Sequence, residues 1–360
     1  MKTPEYFPTK YWHKLEDGRV QCDVCPQYCK LKEGQRGLCF VRMRKNDEIV
    51  LTTYGRSSGF CIDPVEKKPL YHFLPGTPIL SFGTAGCNLG CKFCQNWDIS
   101  KSREFDTLAD EAMPEKLAEV AEQYHCKSIA YTYNDPIVFM EYAIDTAKAC
   151  HKKGIKSVAV TNGFMCEKSR EEFYQYMDAA NVDLKGFSEE FYKKITNSRL
   201  QPVLDTLEYI KHHTKTWLEI TTLLIPGLND SEKEIEKSTS WILDHLGNDV
   251  PLHFTAFFPA YKMTNISPTP IETLQRARDI ALNKGLLYVY TGNVIDIPGS
   301  TTYCRHCHKA IIERSGFTIL NYQLTDNGHC KFCHTLCDGV FEGPAGNWGS
   351  KRLPIYLKEE

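Results

Sequence analysis

The sequence contains no run of about 18 apolar residues, the length of a membrane-spanning helix. Its opening stretch, MKTPEYFPTKYWHKLEDGRV, has no apolar core of signal-peptide length. We therefore expect a cytoplasmic protein with no membrane partner. An excess of one charge sign is also missing, because charged residues make up 24% of the chain but the net charge is only −2. This balance gives no general attraction to nucleic acid or to anionic lipid.

Cysteine, in contrast, is abundant, with 16 residues in the chain. A reducing cytosol keeps ordinary thiols reduced, so the cysteines do not indicate a disulfide framework, and their clustering favours metal ligation. Most of them fall into three groups along the sequence. These groups are Cys22, Cys25, Cys29 and Cys39; Cys87, Cys91 and Cys94; and Cys304, Cys307, Cys330 and Cys333.

The C-terminal group consists of two Cys-x-x-Cys turns, CRHC and CKFC, separated by the apolar stretch AIIERSGFTILNYQL, which could form hairpin strands. Each turn can present two thiolates to one tetrahedral ion, and two turns close the coordination shell, as in structural zinc sites. We predict a zinc ribbon here. His306, His308 and His334 lie beside these cysteines and could replace one of the ligands.

The N-terminal group has spacings of two, three and nine residues between its cysteines. Four thiolates could hold zinc or an auxiliary iron–sulfur cluster, and zinc or another structural metal is favoured. Reduced, unligated cysteines are the alternative, and the spacing alone does not choose between the metals.

The middle group, in GTAGCNLGCKFC, offers three thiolates, one fewer than the irons of a [4Fe–4S] cluster accept. One iron would therefore lack a protein ligand and could bind a substrate or cosubstrate. A catalytic zinc site likewise keeps one coordination position free of protein ligands. The spacing therefore predicts chemistry at the metal. The alternative is a zinc site completed by a distant histidine.

Between residue 78 and about residue 294, short apolar runs alternate with helical patterns, which predicts repeated βα units and an α/β fold. Ser231 and Thr269 are predicted to cap two of the helices. About six units and a seventh strand are fewer than a full barrel requires, so we predict a partial (β/α)6 barrel with its site at the C-terminal strand ends. A flat doubly wound sheet is disfavoured because no Gly-x-Gly-x-x-Gly follows a strand. The predicted divisions are a Cys-rich extension (1–75), the barrel (76–298) and a zinc-ribbon-like module (299–360).

The segment CNLGCKFC after the first barrel strand resembles the radical S-adenosylmethionine (radical SAM) superfamily, and Phe93 before the third cysteine fits that pattern. More narrowly, the chain is similar to the AmmeMemoRadiSam-system radical SAM proteins, which are relatives of the pyruvate formate-lyase activating enzymes. The matching segments are YHFLPGTPILSFGTAGCNLGCKFCQNWDIS, YTYNDP, VTNGF, NVDLKGFSEEFY, TTLLIPGLNDS, FFPAYKMT and YVYTGNV.

The resemblance implies a [4Fe–4S] cluster on Cys87, Cys91 and Cys94, with SAM bound to the fourth iron. It also implies reductive cleavage of SAM to a 5′-deoxyadenosyl radical that abstracts hydrogen from a substrate. A low-potential electron donor such as flavodoxin or ferredoxin would then be a partner. The name of the system further implies Memo-like or AMMECR-like protein partners.

Polar residues at the predicted strand ends are the candidates for contacts to SAM. Asn134 and Asp135 stand where the superfamily often has a Gly-Gly-Glu loop, and Asn162 follows Val160, where the activating enzymes tend to have an acidic residue. Asp183 and Lys185 alternate along a strand and so share one face. Each of these residues also has a structural alternative, as an ion pair, a helix cap or a turn.

Two further candidates come from later strands. Ile225, in IPGLND, could pack against adenine, and His253 lies on the sixth strand. A lone histidine on a strand is more often a hydrogen-bonded core residue, so His253 ranks lowest among the candidates.

The sequence thus predicts an oxidoreductase that abstracts hydrogen from an unidentified substrate, or alternatively an activase that forms a glycyl radical on a partner protein. A different class of function is a zinc-scaffolded module that binds RNA or protein. The basic clusters VRMRK and SKR are small and have no interleaved aromatic residues, so nucleic acid is disfavoured as a partner.

Overall fold

The computed structural model describes residues 4–101 and 110–357. The N-terminal extension forms two small antiparallel sheets, in the strand orders β1-β6-β5 and β2-β3-β4. Its strands are β1 (Phe7–Pro8), β2 (Trp12–Lys14), β3 (Val20–Cys22), β4 (Lys30–Leu31), β5 (Arg42–Lys45) and β6 (Glu48–Leu51).

The central sheet contains seven parallel strands that are neighbours in space in the order in which they occur in the sequence, from β8 and β10 to β15. Its strands are β7 (Arg56–Pro64), β8 (Pro78–Gly83), β9 (Asp110–Glu111), β10 (Ser128–Tyr131), β11 (Lys156–Thr161), β12 (Ala179–Asp183), β13 (Trp217–Leu224), β14 (Leu252–Ala256) and β15 (Val289–Gly292). Within the described ranges β8 and β15 do not pair with each other, so the barrel wall is open. The predicted α/β class and the partial (β/α)6 barrel are confirmed.

Helices follow these strands and cover the outer face of the sheet. They are α1 (Trp97–Ser100), α2 (Pro114–Gln123), α3 (Met140–His151), α4 (Glu167–Tyr174), α5 (Glu189–Phe191), α6 (Gln201–His213), α7 (Glu232–Leu246), α8 (Ile271–Lys284) and α9 (Ile297–Ser300). The α2 helix illustrates how one apolar face of a helix is buried, because Leu117, Val120 and Ala121 recur at helical spacing and are all buried. In the described part of the chain, no helix combines the length and the apolar character needed to cross a bilayer.

The structure confirms one predicted helix cap and corrects the other. The side chain of Ser231 accepts a hydrogen bond from the backbone N–H of Glu234, 3.3 Å away, at the start of α7. The hydroxyl of Thr269 instead donates to the carbonyl of Leu224 and accepts from the N–H of Phe257. Thr269 therefore ties two strand ends together, and α8 begins after it.

The C-terminal part of the chain forms a small sheet of β16 (Thr302–Tyr303), β17 (Ala310–Ser315) and β18 (Thr318–Tyr322), in that order. The last strand, β19 (Leu353–Pro354), pairs with β7 at the edge of the central sheet. Because β7 lies in the predicted extension and β19 in the predicted zinc module, the central sheet crosses both predicted boundaries. The divisions at residues 75 and 298 stay predictions.

A buried network joins the C-terminal part to the first halves of β13, β14 and β15. One carboxylate oxygen of Glu219 accepts a hydrogen bond from the N–H of His72 at 2.8 Å, and the other lies 2.6 Å from Nε2 of His253. The ring of His72 bridges the Tyr290 hydroxyl at 2.5 Å and the carbonyl oxygen of Asp338 at 2.6 Å. The two ring nitrogens of His72 thus connect the barrel to the C-terminal part.

Acidification is expected to weaken this junction, because burial lowers the pKa of His72 from 6.5 to about 4. Between these values the unfolded chain binds the proton and the folded chain does not, so the free energy of unfolding falls as the pH drops through this window. The full contribution is on the order of 3 kcal/mol. Urea unfolding between pH 7 and pH 4.5 should show a steeper loss of stability in the wild type than in His72→Gln. Equal slopes for the two proteins would contradict the assignment.

Candidate functional site

The loop that carries Cys87, Cys91 and Cys94 follows β8, at the C-terminal end of the central sheet. Asn134 fixes the start of this loop, because its side chain accepts from the N–H of Thr84 at 3.1 Å and donates to the carbonyl of Gly86 at 2.7 Å. Gly83 and Gly86 are required by close packing. A Cβ on Gly86 would lie 1.9 Å from the carbonyl oxygen of Cys39, and Gly86 has φ +79°.

Burial strongly disfavours bare thiolates in this loop. It raises the pKa of Cys87 to about 12, and it also raises the pKa of Cys91, which is 7% exposed. An anionic sulfur here needs a cation as its direct partner. Soft thiolate donors of this kind fit iron in an iron–sulfur cluster or zinc.

Asp135 and Asn162 come together beside Cys87. The carboxylate of Asp135 accepts hydrogen bonds from the hydroxyl of Thr161 at 2.9 Å and from the N–H of Asn162 at 2.7 Å. Burial raises the pKa of Asp135 to about 6 despite these donors. The side chain of Asn162 donates to that of Asn88 at 2.8 Å. The structure thus brings together Asp135 and Asn162, two of the predicted contacts to SAM. Their hydrogen bonds to each other and to Asn88 hold the three-cysteine loop in place.

Asp183 and Lys185 form a second polar pair near the loop, with 2.8 Å between Nζ and the carboxylate. Burial opposes the charge on Lys185, but Asp183 and Cys91 raise its pKa above the usual value. The ammonium group also lies 5.7 Å from the centroid of the Phe93 ring, inside the cysteine motif. A cation and a carboxylate thus flank the cysteine loop.

Ile225 and His253 differ in their relation to the loop. Ile225 is fully buried directly after β13, and its N–H donates to the side chain of Asn229, which also donates to the carbonyl of Lys185. The ring of His253 contacts Glu219, Tyr71 and Tyr290 in the buried network at the first half of the strands. These contacts place His253 in the buried network and give its ring hydrogen-bonding and aromatic partners there.

Two residues of this site were not singled out from the sequence. Asn88 is fully buried, and its side chain donates to the carbonyl of Phe164 at 2.8 Å, so it anchors the loop to the end of β11. Asn229 links the fifth strand end to Lys185. Both residues lie inside segments already quoted, CNLGC and IPGLND, and an asparagine within such a segment at a predicted strand end is the signal that could have identified them.

The C-terminal group is compact enough for one metal ion. The sulfurs of Cys304 and Cys333 are 3.5 Å apart, those of Cys307 and Cys330 are 3.8 Å apart, and all four lie within 4.8 Å of one another. These separations match the edges of a tetrahedral zinc–thiolate site. In the described residues the group contains no histidine, and His308 and His334 instead close the two turns with positive φ.

Comparison with known proteins agrees with this geometry. Residues 82–238 match the family model described as the radical SAM superfamily. The chain is 40% identical over 332 residues to the uncharacterized protein MJ0808 of Methanocaldococcus jannaschii, which covers 92% of this chain and 98% of that protein. It is 24% identical over 228 residues to the pyruvate formate-lyase 1-activating enzyme of Escherichia coli K12, covering 57% of this chain and 89% of that enzyme.

Among solved structures, a radical SAM methyltransferase from Sphaerobacter thermophilus aligns with a TM-score of 0.49 and 12% identity, covering 81% of this chain and 78% of that one. The sequence matches define the class of protein: the chain belongs to the radical SAM superfamily. Within that superfamily it is homologous to the pyruvate formate-lyase activating enzymes.

Proposed function

We propose that the protein is a radical SAM oxidoreductase in which Cys87, Cys91 and Cys94 ligate three irons of a [4Fe–4S] cluster and SAM binds the fourth. The observation that carries this proposal is a loop of three buried or half-buried cysteines at the C-terminal end of the first barrel strand, inside the segment that matches the radical SAM family model. When bound, cluster and SAM supply reductive cleavage of the sulfonium and a hydrogen-abstracting radical.

The polar residues around the loop suit the charges of SAM. Lys185 offers a cation for the methionyl carboxylate, and Asp135 offers a carboxylate for the methionyl ammonium. Asp183 holds the Lys185 ammonium in place through their ion pair. Asn134, Asn88 and Asn162 position the loop through their hydrogen bonds. Ile225 is fully buried after β13, and its contact with the adenine ring stays a prediction.

We propose that the radical abstracts hydrogen from a carbon–hydrogen bond of the substrate, and the proposal does not specify which molecule carries that bond. The second candidate is activation of a partner protein by forming a glycyl radical. It is favoured by the relatives named as activating enzymes, which include those of 4-hydroxyphenylacetate decarboxylase and (2S)-3-sulfopropanediol dehydratase. Membership of the AmmeMemoRadiSam system, Memo-like or AMMECR-like partners, a flavodoxin or ferredoxin donor and zinc at Cys304–Cys333 are further parts of the proposal.

The test is electron paramagnetic resonance of the anaerobically reconstituted, dithionite-reduced protein with and without SAM. We expect SAM to shift the g values of the cluster signal, because its amino and carboxylate groups would bind iron directly. S-Adenosylhomocysteine, which has no sulfonium to cleave, is the control for turnover. The reduced protein should form 5′-deoxyadenosine from SAM and should form none from S-adenosylhomocysteine. A cluster signal that SAM leaves unchanged, with no 5′-deoxyadenosine, would refute the proposal.

A further inference from the structure

We propose that a cavity between the barrel and the C-terminal part binds a small molecule that carries a phosphate group on an apolar body. One wall of the cavity comes from α8 and β15, and the other comes from residues within 301–308, which contain the first Cys-x-x-Cys turn. Val289, the first residue of β15, lines the cavity. The cavity therefore lies at the opposite end of the central sheet from the three-cysteine loop, and this inference does not depend on the proposed function.

The size of this cavity suits a small molecule. Its volume is about 310 Å³, at the lower end of the roughly 300–1,000 Å³ that is typical of small-molecule sites. By the same measure a second cavity, which adjoins Asn88, has only about 20 Å³, enough for one water molecule. The N-terminal cysteine group lines that second cavity, and its metal stays a prediction; the group is Cys22, Cys25, Cys29 and Cys39.

Positively charged side chains line the larger cavity. Arg278 of α8 and Arg305 contribute two guanidinium groups, and His308 adds an imidazole. No aspartate or glutamate is among the described residues that line it. Guanidinium groups bind phosphate or carboxylate oxygens through paired N–H donors, and a neutral imidazole donates through one ring nitrogen. The side chains therefore favour a ligand with an oxyanion.

Arg278 is held in place and keeps donors for a ligand. Its Nε–H donates to the carbonyl of Val289 at 2.9 Å, and the residue is half-buried. Within the described ranges its two Nη groups have no hydrogen-bond or ion-pair partner. Because this guanidinium is already ordered, binding an anion to it costs little side-chain entropy.

Arg305 is fixed at the other wall. One of its Nη groups donates to both carboxylate oxygens of Asp338, at 3.1 and 3.0 Å, and that carboxylate also accepts from the Tyr288 hydroxyl at 2.8 Å. Asp338 offsets part of the charge on Arg305. The Nε and the second Nη of Arg305 nevertheless have no partner in the part of the chain that the structure describes.

These two arginines suit a phosphate ester better than a carboxylate. A phosphate monoester has three acceptor oxygens and nearly two negative charges at neutral pH, whereas a carboxylate has two oxygens and one charge. Arg278 supplies the charge that no described carboxylate balances, and Arg305 supplies further donors from the opposite wall. One phosphate group has enough oxygens to accept from both.

Apolar side chains also line the cavity and indicate the rest of the ligand. Leu282, Leu286 and Leu287 lie along it, together with Tyr303, which is 37% exposed. Burying an apolar or aromatic group against them would remove apolar surface from water. Inorganic phosphate would leave these side chains uncovered, so the proposed ligand is an ester rather than the free ion.

The experiment measures binding of phenyl phosphate to the full chain, purified anaerobically with its metals, by isothermal titration calorimetry. We expect a Kd below about 1 mM. Inorganic phosphate lacks the apolar body and phenol lacks the phosphate, so each should bind at least tenfold more weakly. Benzoate should also bind more weakly than phenyl phosphate. Inorganic phosphate binding as tightly as phenyl phosphate would overturn the apolar part of the assignment, and tighter binding of benzoate would overturn the choice of phosphate.

Three variants locate the binding. Arg278→Met removes the charge but keeps an aliphatic side chain, and it should weaken binding of phenyl phosphate at least tenfold. Leu282→Trp narrows the cavity without changing any charge and should weaken binding to a similar extent. Arg276→Met is the matched control, because Arg276 lies two residues earlier on α8 and donates to the carbonyl of Asp230 outside the cavity. It should bind like the wild type.

The site is overturned if the wild type does not bind phenyl phosphate, or if either folded cavity variant binds it with unchanged affinity. Circular dichroism checks the fold of each variant. If Arg278→Met does not fold, the affinity of Leu282→Trp decides the outcome, since Leu282 is only half-buried and its replacement leaves the hydrogen bond of Arg278 to Val289 intact.

Discussion

Replacing Cys91 with alanine is expected to lower the rate of 5′-deoxyadenosine formation by on the order of 10³-fold or more. Loss of a residue that only supports a metal ligand typically costs 10–100-fold, and loss of a ligand itself removes an attachment point of the cluster. Cys91 is the most buried of the three cysteines, and the charges of the Asp183–Lys185 pair act on its pKa. The reaction should be followed by chromatography after reduction with dithionite.

The matched control for this variant is Cys150→Ala. Cys150 is fully buried on α3, outside the three cysteine groups, and is expected to lose only packing energy of about 1 kcal/mol. It should keep the SAM-shifted resonance and the product. If Cys91→Ala forms 5′-deoxyadenosine as fast as Cys150→Ala, Cys91 is not a cluster ligand.

Replacing Cys330 with serine is expected to abolish zinc binding by the C-terminal group and to destabilise the surrounding module by at least ~3 kcal/mol. The free energy of binding a structural zinc is largely folding free energy, because the unfolded chain has no preformed site. Cys330 is fully buried, and the apolar core around it is small. The expected result is loss of about one bound zinc per chain and, in limited proteolysis, cleavage of the module on the order of 10² times faster.

Cys337→Ser is the matched control for this second variant. Cys337 is buried in the same module, but it lies outside the four-cysteine group, with its sulfur 3.9 Å from Nδ1 of His72. It should retain the zinc. The Cys330 variant should also loosen the junction with the barrel, because Arg314 of β17 donates to the carbonyl of Tyr71 at 2.6 Å. Full zinc content in Cys330→Ser would rule out the four-thiolate site.

The features that the sequence predicted well are those that depend on neighbours along the chain. Cys-x-x-Cys turns and the three-cysteine loop place thiols together through a few residues of backbone, so their grouping needs no knowledge of the fold. Ser231 caps α7 for the same reason, since its partner is three residues away. The alternation of apolar runs and helical patterns likewise predicted the seven parallel strands.

The features that escaped the sequence depend on partners far along the chain. Thr269 stands in a sequence pattern typical of a helix cap. Its hydroxyl nevertheless donates a hydrogen bond to the carbonyl of Leu224, at a strand end 45 residues away. Asn88 takes its role from Phe164 and Asn162, more than 70 residues away. Polar side chains such as these have several available partners, and only the packing of the strand ends selects one.

The sequence by itself therefore determined which atoms can bind metal and how many thiolates each group offers, because that information is local and chemical. The tertiary structure decided how far apart the sulfurs lie, that Cys39 contacts Gly86, and that the cavity of the N-terminal group adjoins the three-cysteine loop. These are distances between segments brought together by burial of a common core, and no spacing along the chain specifies them.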